Sequence, residues 1–243
     1  MPEGPSIVIL KEECAPFIGK KILRIEGNSK VGIEKLQGQT IIDFKSWGKN
    51  FFICFKNFSV RIHLMLFGSY RINEQKETPP RLSLQFKKGE INFYTCVVEI
   101  IEESLDERYD WERDVMNPAW KPRKALATLK EQPKALACDV LLDQHIFAGV
   151  GNIIKNEVLF RIKVHPLSTV KGLPAKKLSQ LVKEARDYSY QFYEWKKKYE
   201  LKKHWLAHKK KICPRCHIPL QLKYLGKTKR RTFYCDSCQV LYK

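Results

Sequence analysis

The feature that most constrains this chain lies near its end: Cys213-Pro-Arg-Cys216, eighteen residues, then Cys235-Asp-Ser-Cys238. Two C-x-x-C knuckles at that separation have the spacing of one tetrahedral site, in which a single Zn²⁺ holds a small stiff hairpin. The loop between the knuckles carries Lys227-Thr-Lys229-Arg230-Arg231, so the hairpin tip is cationic and suits a phosphate backbone. Two disulfides, or haem attachment through Cys213–Cys216–His217 (C-x-x-C-H), are the competing readings of the same cysteines. Met1-Pro2-Glu3 lacks the charged start and apolar stretch of a secretory signal, which weighs against both. The second knuckle also has no place in a haem site. Cys14, Cys54, Cys96 and Cys138 stand singly among apolar residues, as reduced core side chains do.

The net charge of +19 is unevenly placed. Residues 196–243 hold fifteen Lys and Arg against Glu200 and Asp236, so about two thirds of the excess sits in the last fifth of the chain. A lysine run is usually a solvated face, but one this dense beside a zinc hairpin points to a polyanion. No apolar run approaches membrane length, so no membrane partner is expected. With no signal segment at Met1-Pro2-Glu3, a cytoplasmic, nucleoid-associated location is the expectation.

The first hundred residues carry strand signals. Phe58, Val60, Ile62 and Leu64 alternate with Ser59, Arg61 and His63, and Leu82, Leu84 and Phe86 alternate with Ser83, Gln85 and Lys87. Phe51–Phe55 is an unbroken apolar run, and Lys87-Lys88-Gly89-Glu90 has the composition of a hairpin turn. Many short strands with close turns predict a β-sandwich, preceded by one helix from Pro5 to about Cys14. Residues 99–114 are acidic with little periodicity, and Asn117-Pro118 and Lys121-Pro122 follow. The pattern then turns helical over 125–129, 136–147, 153–160 and 175–195. The expected organisation is a β-sandwich domain at 1–110, a linker at 111–124, a helical domain at 125–208 and a zinc finger at 209–243.

Three more segments converge with the knuckles. Met1-Pro2-Glu3-Gly4-Pro5 opens the chain; Leu141-Leu142-Asp143-Gln144 leads into Phe147-Ala148-Gly149-Val150-Gly151-Asn152 and then Glu157; Arg230-Arg231-Thr232-Phe233-Tyr234 runs into the last knuckle. In this order they resemble the formamidopyrimidine-DNA glycosylase / endonuclease VIII family of base-excision repair enzymes. The resemblance implies an α+β multidomain chain: an N-terminal β-sandwich flanked by a helix, then a helical domain with a helix–two-turn–helix motif and a zinc-finger hairpin. DNA would bind in the cleft between the halves.

By itself Pro2 is an inert second residue. Removal of Met1 would leave a secondary amine, partly unprotonated at neutral pH and able to attack a sugar carbon. The resemblance assigns Pro2 that attack at C1′, through an iminium intermediate that allows β,δ-elimination. It makes Glu3 the proton donor to the sugar ring oxygen, a general-acid task. Ser6 stands where the family usually carries a further glutamate. Lys49, in Ser46-Trp47-Gly48-Lys49-Asn50, matches a family lysine near the scissile phosphate and is expected to be catalytic and DNA-binding. Arg71 is expected as a weaker backbone contact near the same sheet. Asn152 reads as a helix-capping residue and, by family match, as a phosphate contact. Glu157 matches an acidic residue near the cleft, and a structural place in its helix is the alternative. Arg230, or its neighbour Arg231, would bridge phosphate oxygens. An enzyme acting on a base inside a duplex must extrude it, and Met65-Leu66-Phe67 offers the wedge, with Leu66 foremost. Residues 99–120 show no counterpart of the arginine loop that purine-repair members place against the orphaned base.

The resulting expectation is a monomeric bifunctional glycosylase and AP lyase that removes oxidised bases, pyrimidines before purines. Its substrate would be double-stranded DNA with oxidised or abasic lesions, with one structural Zn²⁺ and no small-molecule cofactor. An oxidised-purine glycosylase, a non-catalytic damaged-DNA binder and a zinc ribbon on an RNA-linked enzyme are the rivals.

Overall fold

The structure, a computed structural model, describes residues 2–243; Met1, whose removal the Pro2 expectation requires, lies outside them. The chain divides into two compact units, residues 1–110 and 111–243.

The first unit begins with α1 (Gly4–Cys14), which has Pro5 in its first turn and Glu3 at its N-cap. Eight strands follow: β1 (Arg24–Glu26), β2 (Asp43–Trp47), β3 (Asn50–Cys54), β4 (Ser59–His63), β5 (Ser69–Ile72), β6 (Leu82–Gln85), β7 (Glu90–Tyr94) and β8 (Val97–Ile101). They form two four-stranded antiparallel sheets, ordered β1-β6-β7-β5 and β2-β3-β4-β8. The expected sandwich is therefore present, and the alternation holds in β4 from Val60 to His63, where Val60 and Ile62 are buried while Arg61 and His63 are partly exposed; in β6 it does not, because Ser83 is buried between Leu82 and Leu84. β3 is buried along its whole length, which is why its sequence runs apolar without alternation. Phe51 of β3 meets Phe93 of β7 at 5.9 Å between ring centroids, joining the two sheets in one core. Each such fully buried ring contributes roughly 1.5–3 kcal/mol. Ile7, Leu10 and Cys14 of α1 enter the same core, so the helix is held against β2 and β3.

After β8, a one-turn helix, α2 (Leu105–Arg108), is capped by the Ser104 hydroxyl, which accepts from the Asp106 amide. Arg108 pairs with Glu99 and Glu103, and the Trp47 indole donates to the Asp110 carbonyl at 2.8 Å. This acidic stretch has little periodicity because it is a wrapped connection tied down by polar bonds.

The second unit contains α3 (Pro122–Lys130), α4 (Ala137–Val140), α5 (Asn152–Arg161), α6 (Ala175–Lys197) and a hairpin of β9 (Gln221–Leu225) with β10 (Arg230–Tyr234). α6 is amphipathic: Leu178, Leu181, Val182, Ala185, Tyr188 and Phe192 line its buried face at helical spacing. α5 is buried from Asn152 to Phe160, polar residues included.

Three boundaries differ from the sequence expectation. Residues 111–124 are no linker: Asp114 is buried, Val115 donates to the Ala148 carbonyl, and Pro122 already opens α3. The helix expected over 136–147 stops at Val140, because Asp143 and Gln144 turn the chain by accepting from the amides of His145 and Gly149. The zinc-finger segment, residues 209–243, belongs to the helical unit, joined to it by the His165 and Thr169 amides donating to the Val240 and Tyr242 carbonyls.

Candidate functional site

In the first unit the expected residues sit on the framework of α1 and the β2–β3–β4 sheet. Pro2 is partly exposed and Glu3 is fully buried. The Glu3 carbonyl accepts from the amides of Ser6 and Ile7, fixing the helix start, while its side chain does not cap α1. Lys49 lies in the two-residue turn between β2 and β3, with Trp47 paired to Asn50 and Gly48 at φ +57. A left-handed first turn residue matches the twist of a tight hairpin and explains the glycine before the lysine. Asn50 anchors the hairpin base, donating to the Trp47 carbonyl and accepting from Arg61 at 3.0 Å.

His63 connects this turn to the candidate wedge. It pairs with Asn50 across the strands, and its Nδ1 accepts from the Met65 amide at 3.2 Å. Burial holds its imidazole below the usual histidine range, with Arg61 and Lys49 pushing the same way, so Lys49 lies close enough to be felt. The turn 64–68 closes through the Gly68 amide donating to the Leu64 carbonyl at 2.8 Å; a side chain at Gly68 would overlap that carbonyl. Met65, Leu66 and Phe67 are displayed on the turn at 50%, 45% and 84% exposure, as a wedge requires and a core segment does not. Arg71 is elsewhere: it is exposed on β5, an edge strand of the other sheet, beside the Glu74 carboxylate at 3.6 Å. The two arginines of residues 99–120 are committed internally, Arg108 to glutamates and Arg113 to the His145 carbonyl.

In the second unit, Asn152 is the first residue of α5, and Gly151 takes the N-cap that the sequence suggested for the asparagine. Its Nδ2 donates to the Arg231 carbonyl at 2.9 Å, leaving one amide hydrogen for another acceptor; its buried Oδ1 has no partner. Arg230 opens β10, and Arg231 donates through Nε to the Tyr224 hydroxyl. The hairpin tip is held by Asp139, which accepts from the Lys227 amide at 2.9 Å.

Glu157 departs from the expected DNA-facing position. It is fully buried and accepts from the amides of Leu206, Ala207 and His208 at 2.9, 3.0 and 2.7 Å. Burial raises its carboxyl above the usual range and the three amides pull it down. A carboxylate enclosed by three donors anchors the chain leading to the zinc segment, the structural alternative its sequence position left open. Lys155 and Asn156 were missed. Polar residues inside a segment that packs on all sides were the available signal.

The four knuckle cysteines converge: their sulfurs all lie within 4.8 Å of one another, and Cys213 and Cys238 are 3.8 Å apart. Four sulfurs at about 2.3 Å from a central Zn²⁺ stand roughly 3.8 Å apart along each edge, so the donor set fits zinc in size and chemistry. All eight cysteines are free thiols and His217 is exposed, in keeping with a four-sulfur site rather than disulfides. Cys14, Cys54, Cys96 and Cys138 are buried apart, as expected.

A β-sandwich unit presenting a Pro-Glu start, a lysine turn and an exposed apolar turn, with a second unit of buried helices gripping a four-cysteine hairpin, has a DNA-glycosylase-type architecture. The sequence matches the formamidopyrimidine-DNA glycosylase N-terminal domain over residues 1–97 and the formamidopyrimidine-DNA glycosylase H2TH domain over 113–189. The chain belongs to the formamidopyrimidine-DNA glycosylase / endonuclease VIII family. It is 34% identical to Endonuclease 8-like 3 of Mus musculus, over 98% of this chain and 40% of that protein. It is 29% identical to the DNA-(apurinic or apyrimidinic site) lyase Nei2 of Mycolicibacterium smegmatis, over 70% of this chain and 72% of that one. The chain thus spans between a third and two fifths of the length of the Endonuclease 8-like 3 relatives it matches. In fold it resembles the Lactococcus lactis formamidopyrimidine-DNA glycosylase bound to DNA containing an AP site, with TM-score 0.86, 22% identity and coverage of 98% and 99% of the two chains. A viral DNA glycosylase has TM-score 0.85 at 20% identity, covering 98% of this chain and 100% of its own.

Proposed function

We propose that this chain is a bifunctional DNA glycosylase and AP lyase of base-excision repair, acting as a monomer on double-stranded DNA that carries oxidised or abasic lesions. The observation that carries the reading is the fixed front end: Pro2 and a wholly buried Glu3 lead into α1, which packs on the two strands that hold the Lys49 turn. Once Met1 is removed, the Pro2 nitrogen attacks C1′, the bond from C1′ to the base breaks, and the base leaves with the glycosidic electron pair. Glu3 gives its proton to the ring oxygen as the sugar opens to the iminium. Loss of a C2′ proton then expels the 3′ phosphate, and a second elimination expels the 5′ phosphate. Lys49 binds the DNA beside the reacting sugar, and Leu66 fills the space left by the extruded nucleotide. Asn152, through its remaining amide hydrogen, and Arg230 hold the phosphate backbone.

Cys213, Cys216, Cys235 and Cys238 would hold one Zn²⁺, which supplies a rigid hairpin and takes no part in the reaction. Support for pyrimidine lesions comes from residues 99–120, whose arginines are spent on internal partners and leave none to face an orphaned purine partner. The lyase name of the mycobacterial relative and the AP-site DNA named with the Lactococcus structure favour the same chemistry. A location with the chromosomal DNA follows from this substrate.

The test is a panel of duplexes carrying thymine glycol, 5-hydroxyuracil, 8-oxoguanine or an abasic site. Excision of the two pyrimidines before 8-oxoguanine is expected, with strand cleavage at every excised site. Faster excision of 8-oxoguanine would reverse the lesion assignment, and an uncut abasic duplex would remove the lyase step.

A further inference from the structure

The polar trio Lys155-Asn156-Glu157 sits in the most buried helix of the second unit, and the functional reading above uses none of it. Lys155 is fully buried. A buried ammonium is costly unless donors and acceptors are matched around it. Its Nζ donates to the Thr232 hydroxyl at 2.8 Å and lies 3.5 Å from the Arg231 carbonyl. The Thr232 hydroxyl in turn donates to the Arg230 carbonyl at 2.9 Å. A polar chain therefore runs from Lys155 through Thr232 to the backbone of Arg230.

The Arg231 carbonyl is also the acceptor for Asn152 at 2.9 Å and Asn156 at 3.3 Å, and Asn156 Oδ1 accepts from the Phe233 amide at 3.4 Å. One turn of α5 thus grips three consecutive residues of β10. At the far end of the hairpin, Asp139 of α4 takes the Lys227 amide, and Gly226, at φ +76, leaves room that a side chain would fill against that carboxylate. Apolar packing alone would let a small hairpin slide along a helix; donors aimed at single carbonyl oxygens fix its register.

We infer that Lys155 is a positioning residue that locks the zinc hairpin onto α5, so that Asn152 and Arg230 act as one phosphate clamp. The inference rests on the reading of Asn152 and Arg230 as phosphate contacts; the ammonium itself is enclosed and touches no DNA. Lys155→Met keeps the length of the side chain and removes the buried charge, while the Thr232 hydroxyl keeps its bond to the Arg230 carbonyl and the Arg231 carbonyl keeps those from Asn152 and Asn156.

In the zinc-loaded chain, Lys155→Met is expected to leave the melting temperature in place and speed hydrogen exchange at the Lys227 and Phe233 amides about tenfold. Affinity for an abasic-analogue duplex should fall about tenfold, and the slope of log K against log salt should shrink by about one, as though a phosphate contact had been lost. Thr232→Val, which keeps the shape and removes the hydroxyl relay, should speed exchange at the same two amides and weaken duplex binding, and, read at a temperature where it is folded, covers the case in which the first variant does not fold. Unchanged exchange at both amides overturns the lock. Faster exchange throughout the unit with a lowered melting temperature also overturns it, reducing Lys155 to a general stabiliser. Arg230→Ala is the reference: an unchanged salt slope there removes Arg230 from the phosphate contacts, while the exchange measurement still decides the role of Lys155.

Discussion

Glu157→Ala separates a structural carboxylate from a DNA-facing one. In the native protein the Glu157 carboxylate satisfies the amides of Leu206, Ala207 and His208, all in a segment that leads straight into the first cysteine knuckle. Truncation leaves three donors without their acceptor, each costing about 1–3 kcal/mol. Removal of a costly buried charge offsets part of that loss, so the net destabilisation is about 3–5 kcal/mol, the lower part of the sum for three stranded donors. A unit the size of residues 111–243 unfolds with an entropy of roughly 0.3 kcal/mol/K, so the melting temperature should drop by roughly 10–17 °C. The assay is thermal unfolding of the zinc-loaded protein followed by circular dichroism, beside duplex affinity at 15 °C, where the variant remains folded. A large loss of melting temperature with affinity within about threefold is expected. An unchanged melting temperature with abolished DNA binding would refute the structural reading and restore Glu157 to the interface.

Burial pushes the His208 imidazole down to about 4, helped by Lys209 and Lys155, and its Nδ1 contacts the Asn156 amide at 3.0 Å. A depressed folded value means full stability above about pH 6.5, lost as the unfolded chain takes up a proton between about pH 6.5 and 4; roughly 3 kcal/mol should disappear across that window, and His208→Gln should flatten the pH profile of the melting temperature. Chelation of the metal should melt the β9–β10 hairpin and weaken duplex binding while leaving the near-ultraviolet signal of residues 1–110 in place; a hairpin that stays protected from exchange without metal would count against the zinc site. Gly226→Ala should cost about 1–3 kcal/mol, since the left-handed backbone and the Asp139 carboxylate both resist a side chain, and a neutral result would show that Asp139 does not hold the tip.

How far the sequence carried differs by element. The sandwich was legible because β4 buries Val60 and Ile62 between more exposed residues, and β3 was legible as a buried run; β6 carries the same alternation in sequence but buries Ser83 between Leu82 and Leu84. The cysteine spacing announced a convergence that the sulfur positions bear out. The front-end motif marked α1, and the exposed Met65-Leu66-Phe67 turn lies where a wedge was expected. Apolar periodicity misled over 136–147: it reported burial, whereas Asp143 and Gln144 redirect the backbone through side-chain acceptors that no period reveals. Proline pairs suggested a linker at 111–124, yet Pro122 merely opens α3. Arg71 is expected near the sheet that carries Lys49, and strand pairing puts it on the other sheet. For Glu157 the sequence leaves a cleft-facing and a structural place open, and for Lys155 it offers only a charge inside an apolar helix; the packing around α5 buries both.

The central claim concerns one atom, the nitrogen of Pro2, and it can be located directly. Protein incubated with an abasic duplex and borohydride should yield a covalent adduct whose digestion places the reduced sugar on a peptide beginning at Pro2. An adduct on Lys49 or another lysine, or none at all from protein whose Met1 has been removed, would contradict the account.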